Sequence, residues 1–307
     1  MKKLCIYHGN CADGFGAAYA VWKRYGEAVE FYPGVYQQDP PDVTGRDVIM
    51  VDFSYKRPVI EQMAQDANSI LILDHHKSAE EDLRQWKREA QDEPQDYTEW
   101  NPGALSTPLV CAIFDMERSG AMIAWSFFHP FEPVPQLFKH IQDRDLWRFE
   151  LPGTREIQAN LFSHPYDFTL WDKIIRDCEI QLLLEKFREE GAAIERKHFK
   201  DIAELLKVTT RRMKIGGYDV PVANLPYTMS SDAGHRLAQG EPFAACYWDT
   251  PDGRVFSLRS SEQGLDVSEI AKLYGGGGHR NAAGFKLAPG QSLGEVNLRI
   301  ATSDVGG

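Results

Sequence analysis

The stretch Ile70-Leu71-Ile72-Leu73-Asp74-His75-His76 decides the fold that the sequence predicts. Its four consecutive apolar residues are typical of a strand that is buried on both faces, as in the middle of a parallel sheet. An acid and two imidazoles follow at the carboxyl end of this strand, where open α/β sheets bind ligands and metals. Taken alone, the run is better explained as a polar loop that holds two histidines, so the other strands have to decide.

Two upstream strands end in the same way. Val48-Ile49-Met50-Val51 is followed by Asp52, and Leu4-Cys5-Ile6-Tyr7 is followed by His8, with Asp13 shortly after. Three apolar strands that each deliver acids or imidazoles at one edge of a sheet predict a metal-binding cleft. This donor set suits Mn²⁺, Mg²⁺, Zn²⁺ or Fe²⁺, and its carboxylates favour the harder ions. If Asp52 bridges two ions ~3.5–4 Å apart, the site matches two-metal phosphoryl chemistry.

The composition is that of an ordinary globular protein, with 307 residues, 43% hydrophobic and 26% charged. At roughly 100–200 residues per domain, this length predicts two domains. The formal net charge of -11 argues against binding of long duplexes. A small anionic substrate is still compatible with this charge, because bound divalent ions reverse the charge locally.

The sequence also predicts a compartment. No run of about 18 apolar residues is present, so neither a membrane span nor a membrane partner is expected. Polar residues occur too close to the N-terminus for a signal peptide, which needs a longer apolar region. The five cysteines are scattered and form no Cys-x-x-Cys pair, which predicts reduced thiols in a cytoplasmic protein.

Strands and predicted helices alternate in the first part of the chain, which is typical of an α/β fold with a parallel sheet. Ser119 is a predicted N-cap of one of these helices. Residues 177–207 have a continuous helical pattern without proline. The character of the sequence changes near Val208, where short predicted strands separated by Gly/Pro turns begin. We predict a metal-binding domain, a helical linker and a smaller mixed α/β substrate-binding domain, at residues 1–175, 176–207 and 208–307.

A glycine-rich motif, Gly275-Gly276-Gly277-Gly278-His279-Arg280, follows an apolar helix near the end of the sequence. Such a run predicts unencumbered backbone amides that phosphate oxygens can approach closely. Arg259, on a preceding strand, could add a bidentate fork to the same phosphate, although a surface salt bridge explains this residue equally well.

The whole chain resembles the DHH phosphoesterase superfamily in its two-domain form with a C-terminal DHHA1 domain. The matching motifs, in the family's order, are HGNCADGFGAA at 8–18, Val51-Asp52-Phe53-Ser54, Asp74-His75-His76, Asp143-Arg144-Asp145 and GGGGHRNAAGF at 275–285. The resemblance implies a five-stranded parallel sheet in the catalytic domain. It also implies hydrolysis of phosphodiesters or phosphoanhydrides, with two Mn²⁺ ions as the usual activators.

The resemblance further implies a role for each site residue. The implied metal ligands are His8, Asp13, Asp52, His75 and Asp145. Asp145 matches the last carboxylate better than Asp143, because Phe149 lies four residues further on. The implied catalytic residues are Asp52, His76, which would face the scissile phosphate, and Asp74, which would orient its neighbours. The implied substrate contacts are Arg259, Gly276, Gly277, Gly278, His279 and Arg280.

The first motif departs from the family's His-x-x-x-Asp-x-Asp, because the chain has His8-x-x-Cys11-x-Asp13. Mn²⁺ prefers oxygen and nitrogen ligands, so a thiol is a poor match. If Cys11 only packs beneath the loop, the first ion keeps His8 and Asp52 plus waters, and its site is the weaker one. One Mn²⁺ would then stay bound through purification, and the other would be recruited from solution. If Cys11 is a ligand, the purified protein should contain Zn²⁺ or Fe²⁺.

The predicted function is a Mn²⁺-dependent phosphodiesterase, with Mg²⁺ as the alternative ion, that acts on short single-stranded oligonucleotides and foremost on oligoribonucleotides. Two enzyme alternatives are a small nucleotide phosphatase and a cyclic-dinucleotide phosphodiesterase. An alternative of another class is a nucleotide-binding regulator whose altered first motif has lost catalysis. A homodimer is compatible with each of these.

Overall fold

The computed structural model describes residues 3–36, 38–88 and 109–294. The chain divides into two compact units, Met1–Lys197 and His198–Gly307, and each contains one β-sheet. The limits of the three predicted segments stay a prediction. Within the described ranges, no helix has the length and apolar character needed to cross a membrane.

The strands of the first unit form a parallel sheet. Their bounds are β1 Lys3–His8, β2 Val29–Gly34, β3 Asp47–Val51, β4 Ser69–Asp74, β5 Lys87–Arg88 and β6 Val110–Phe114. The order across the sheet is β2-β1-β3-β4-β6-β5, and every neighbouring pair is parallel. This confirms the α/β class. The sheet has six strands rather than the five that the resemblance implied, because the two-residue β5 adds an edge.

Helices connect these strands and follow them. Their bounds are α1 Ala12–Tyr25, α2 Arg57–Asp66, α3 Lys77–Asp82, α4 Gly120–Phe128, α5 Gln136–Asp145, α6 Thr154–Leu161, α7 Phe168–Cys178 and α8 Gln181–Thr209. The Ser119 side chain accepts from the Met122 amide at 3.5 Å, so the predicted N-cap is confirmed. The prediction of one helix over 177–207 is wrong at its start, because the Ile180 amide donates to the Asp177 carbonyl and closes a turn between α7 and α8.

Apolar side chains cover both faces of the parallel sheet. Leu71 and Leu73 pack in one buried cluster with residues of α1 and α4, whereas Ile70 and Ile72 pack in another with residues of α2. All four side chains are fully buried. Burying an aliphatic side chain of this size stabilises the fold by about 1.5–3 kcal/mol. Burial on alternate sides therefore explains why β4 reads as an unbroken apolar run.

The order of the strands reverses next to β1. The chain passes from β1 to β2 on one side and then returns to place β3 on the other side. In open α/β sheets, such a reversal leaves a crevice beyond the carboxyl ends of the two strands. His8 ends β1 and Asp52 directly follows β3, so both residues lie at this crevice.

The second unit contains a mixed sheet, as predicted. Its strands are β7 Thr210–Ile215, β8 Tyr218–Asn224, β9 Ala244–Thr250, β10 Gly253–Arg259, β11 Gly277–Gly278 and β12 Ala282–Leu287. Their order is β11-β12-β10-β9-β8-β7, and the pair of β8 and β9 is parallel while the other pairs are antiparallel. The described α-helices that lie wholly in this unit are α9 Ser230–Leu237 and α10 Val267–Lys272, while α8 continues into it from the first unit.

Candidate metal centre

His75 lies at the centre of the candidate site, just beyond β4. Its Nε2 atom lies 3.0 Å from Asp52 Oδ1 and 3.5 Å from Asp145 Oδ2. Asp13 Oδ2 lies 3.6 Å from the same nitrogen. One ring nitrogen can donate a single proton, so it cannot satisfy three carboxylates at once. A divalent cation among these oxygens would offset their mutual repulsion.

Asp52 lies between two groups of ligand atoms. Its Oδ1 faces His75, while its Oδ2 lies 3.4 Å from His8 Nδ1. Within the described residues, this buried Oδ2 accepts no hydrogen bond. An unsatisfied buried carboxylate oxygen is costly unless a cation or donor binds it, so the site fits a metal on this side as well.

Among the described residues of the first unit, the potential ligands form two groups of three, which are His8, Asp52 and His76, and Asp13, His75 and Asp145. Within each group, the ligand atoms all lie within 4.8 Å of one another. Every implied metal ligand therefore belongs to one group or the other. Asp52 contacts both, as a bridging carboxylate would have to do.

The backbone at Asp52 and the absence of a side chain at Gly120 position this carboxylate. Asp52 has a φ of 53°, in the left-handed region that non-glycine residues adopt at a cost of about 1–3 kcal/mol. Its amide donates to the Leu73 carbonyl at 2.9 Å, which holds it against the neighbouring strand. A Cβ at Gly120 would lie 2.4 Å from the Asp52 Cβ, so any larger residue there would displace Asp52.

The first turn of α4 holds Asp13. The amides of Gly120 and Ala121 donate to its two carboxylate oxygens at 2.6 and 3.0 Å. These are amides that a helix leaves unpaired at its start, and they favour a negative charge. Asp13 is 2% exposed, so its orientation is fixed by contacts from a distant part of the chain.

Asp74 lies behind the two histidines. Its Oδ1 atom accepts from the amides of His75 at 2.7 Å and His76 at 3.2 Å, and it lies 2.6 Å from His76 Nδ1. Asp74 is fully buried. A carboxylate in this position fixes the orientation of the imidazole, which is the kind of support that the resemblance implied for Asp74.

Asp143 and Asp145 have different partners. Asp145 joins the cluster through His75, whereas Asp143 accepts from the amides of Glu150 and Leu151 at 2.8 and 3.0 Å. The Thr154 hydroxyl also donates to Asp143, at 2.5 Å. The geometry therefore places Asp145, and not Asp143, among the potential ligands.

Charge interactions divide the acids of the cluster. Burial raises the pKa of Asp13 and of Asp145, and the charge of Asp52 raises both further. Burial alone would raise the pKa of Asp52 as well, but its interactions with His75 and His8 lower this pKa below the ordinary value. The same interactions raise the pKa of both imidazoles against the effect of burial. Because a metal ligand must be deprotonated, binding of an ion would release protons from this cluster.

Cys11 contacts His8 but belongs to neither group of three ligands among the described residues. Its carbonyl accepts from the Phe15 amide at 3.0 Å in the first turn of α1. Burial raises the pKa of the Cys11 thiol, and the nearby charge of Asp52 adds to this effect. Because Cys11 lies outside both groups, the structure gives it no evident part in holding an ion.

The implied substrate residues lie together at one end of the second sheet. Arg259 ends β10 opposite Ala282 of β12, and His279 and Arg280 lie in the turn that precedes β12. The Arg280 guanidinium donates to the Gly264 carbonyl at 3.3 and 3.4 Å. Arg259 donates to the Ser257 hydroxyl and the Leu258 carbonyl at 3.0 and 2.8 Å.

The backbone of the glycine run makes more hydrogen bonds within the protein than the sequence predicts. The Gly276 amide donates to the Ala271 carbonyl at 3.0 Å, so the prediction that this amide is free for a phosphate oxygen is wrong. It closes the turn that follows α10. Gly277 and Gly278 form β11 and pair with β12. A Cβ at Gly276 would lie 2.0 Å from the Gly284 carbonyl oxygen, so close packing of two backbones explains this glycine.

The structure adds two residues that the sequence motifs missed. Gly120 makes room for Asp52, and the Tyr36 ring lies 5.3 Å from that of His8 and 5.9 Å from that of His76, measured between centroids. Tyr36 is 41% exposed beside the cluster. It follows β2, whose carboxyl end lies beside that of β1, and this position is the signal that could have identified it.

Comparisons with known proteins give a relative and a fold. No model of a protein family matches the sequence. The uncharacterized protein R106 of Acanthamoeba polyphaga mimivirus is 31% identical over 309 aligned residues, which cover 93% of this chain and 67% of that protein. The DHH domain of a member of the s1p family of ribosomal proteins matches with a TM-score of 0.51 and 14% identity, over 93% of this chain and 82% of that one.

Another solved structure, the pGpG-specific phosphodiesterase PggH from Vibrio cholerae, aligns with this chain with a TM-score of 0.47 and 15% identity over 94% of each chain. The match to the DHH domain shows that this chain has the DHH-domain fold.

Proposed function

We propose, from the premise that this chain belongs to the same family as protein R106 of Acanthamoeba polyphaga mimivirus, that it is a metal-dependent phosphoesterase. The observation that carries the proposal is the position of Asp52. This buried carboxylate lies between two groups of imidazoles and acids at the carboxyl ends of parallel strands, in a chain with the DHH-domain fold. Two such groups suit two divalent ions, Mn²⁺ by preference and Mg²⁺ as the alternative.

The geometry indicates which residues would hold each ion. His8 and Asp52 would hold one ion, while Asp13, Asp52, His75 and Asp145 would hold the other. When bound, such ions supply a nucleophilic water and neutralise charge on the phosphate. The α4 amides on Asp13 and the contact of Gly120 with Asp52 fix these carboxylates before substrate arrives. A site that is already ordered need not reorganise during the reaction.

We propose that the substrate is a short single-stranded oligonucleotide. The net charge of -11 disfavours tracking along a long strand. In the second unit, Arg259 ends β10 and Arg280 precedes β12 at the same end of the sheet, and both carry positive charge that a phosphate can contact. We assign this unit to the DHHA1 type because of its glycine-rich turn. A purely regulatory role is disfavoured, because Asp13, His75 and Asp145 form a ligand group that does not depend on Cys11.

Hydrolysis of a substrate panel tests this proposal. With Mn²⁺, we expect 5′-labelled di- and trinucleotides to be cut to nucleoside monophosphates at least ~10-fold faster than a long strand, a 3′,5′-bisphosphate nucleotide or a cyclic dinucleotide. Chelation of the metal should abolish the activity, because the water would lose its activating ion. Preference for the cyclic or bisphosphate substrate would move the assignment to an alternative phosphoesterase. Binding without hydrolysis of any substrate would indicate a regulator.

Substitutions in the second unit test the phosphate contacts. We expect Arg280→Ala to raise KM for a trinucleotide by about 10-fold or more with a smaller effect on kcat, because a contact made equally in ground and transition states affects binding. Arg259→Lys should also raise KM, since a point charge cannot reproduce a bidentate fork.

Arg254 provides the matched control for these two variants. It lies on β10 like Arg259, but its guanidinium pairs with Asp249 at 2.7 and 3.0 Å. Arg254→Ala should leave KM unchanged within about twofold. An unchanged KM in both Arg280→Ala and Arg259→Lys would place the substrate site elsewhere.

A further inference from the structure

We propose that His76 is a ligand of the first metal ion and completes the site that Cys11 leaves without a carboxylate. The proposal rests on the proposed function and refines it, because the resemblance implied that this imidazole faces the scissile phosphate instead. The sequence leaves the first ion with only His8 and Asp52 as protein ligands. The structure supplies a third residue from the end of β4.

The first step is distance. Ligand atoms of His8, Asp52 and His76 all lie within 4.8 Å of one another. Ligands bound at about 2.1 Å from one ion can be at most about 4.2 Å apart, so small side-chain rotations would bring these three onto a common ion. The ring centroids of His8 and His76 are 5.8 Å apart and the rings meet edge to face, so neither ring stacks over the other.

The second step is the orientation of the ring. His76 Nδ1 lies 2.6 Å from Asp74 Oδ1, and Asp74 is fully buried. An Nδ1–H group at this distance donates to the carboxylate, and the tautomer with its proton on Nδ1 offers Nε2 as the ligand atom. Support of a ligating histidine by a carboxylate on its other nitrogen is common at metal sites. Asp74 therefore prepares His76 to bind a cation.

The third step is the exclusion of the thiol. Cys11 belongs to no group of three ligand atoms among the described residues, whereas His76 does. With His76 in place of Cys11, the first ion has nitrogen and oxygen ligands, which match the preference of Mn²⁺. The two sites would then differ less in affinity than a count of two protein ligands against four suggests.

Mn²⁺ binding measured in the absence of substrate tests the proposal. Metal-free protein is titrated with Mn²⁺, and free Mn²⁺ is quantified by electron paramagnetic resonance. We expect two ions in the wild-type protein. In His76→Ala and in the bulkier His76→Gln, one ion should keep its affinity while the other binds at least ~10-fold more weakly.

Cys11→Ser is the matched control, and it should keep both affinities within about twofold. Circular dichroism and thermal unfolding establish that each variant is folded, and the His76→Gln variant retains bulk if His76→Ala does not fold. Two ions at wild-type affinity in a folded His76 variant would overturn the proposal. Loss of an ion in Cys11→Ser would overturn it in favour of the thiol. Because no substrate is present, a failure of the proposed phosphoesterase activity would leave this result unaffected.

Discussion

Asp52→Asn is expected to abolish turnover while the protein stays folded. The substitution keeps the shape of the side chain but removes the charge that lies between His75 at 3.0 Å and His8 at 3.4 Å. An amide is a weak ligand for a hard divalent ion, so both ions would lose a shared carboxylate. We expect kcat to fall at least about 1000-fold, which corresponds to roughly 4 kcal/mol of barrier. Steady-state kinetics and Mn²⁺ titration on the same preparation measure the two effects.

Asp47→Asn is the control for this substitution. Asp47 begins the strand that Asp52 follows, but it lies at the opposite end and pairs with Lys3 at 3.2 Å. A partly exposed ion pair contributes little, so kcat and Mn²⁺ binding should change by less than about twofold. If Asp52→Asn retained even a tenth of the wild-type kcat, a shared carboxylate could not be the basis of catalysis.

The parts of the fold that the sequence predicts are those with a local pattern. Ile70 to Leu73 read as a buried strand because burial on both faces selects apolar residues at every position, and all four are fully buried. Strand β5 consists of Lys87 and Arg88, which carry no such pattern. The break between α7 and α8 was also missed, since the helical pattern continues across it and a single turn at Ile180 interrupts the helix.

The candidate site divides in the same way. Its acids and imidazoles are predictable because each follows an apolar strand, but the contacts that position them come from far along the chain. Asp13 is held by the amides of Gly120 and Ala121, and Gly120 also packs against Asp52. No local pattern at Gly120 indicates this, since a glycine at the start of a helix has several ordinary explanations. The sequence does not predict that the Gly276 amide donates to the Ala271 carbonyl, because this hydrogen bond depends on how the preceding helix ends.

The two acids of Asp143-Arg144-Asp145 are expected to give opposite results when replaced. Both lie on α5, and residues two apart on a helix project about 200° apart, so they cannot both reach one cluster. Asp145 lies 3.5 Å from His75 and is surrounded by other acids. We expect Asp145→Ala to weaken Mn²⁺ binding and to lower kcat at least about 100-fold. Its free energy of unfolding should not fall, because the repulsion of neighbouring carboxylates is relieved.

Asp143→Ala should destabilise the fold instead. The Asp143 side chain accepts from two amides of exposed residues and from the hydroxyl of Thr154, which is 1% exposed, so its removal takes the acceptor from one buried donor. A buried donor without its acceptor costs about 1–3 kcal/mol. At about 2–4 °C per kcal/mol, the apparent Tm should fall by roughly 2–12 °C, while both ions still bind below that temperature. Thermal unfolding and Mn²⁺ titration of the two variants measure both properties. Loss of an ion in Asp143→Ala, with an unchanged Tm, would make Asp143 the ligand and would require α5 to present its other face to His75.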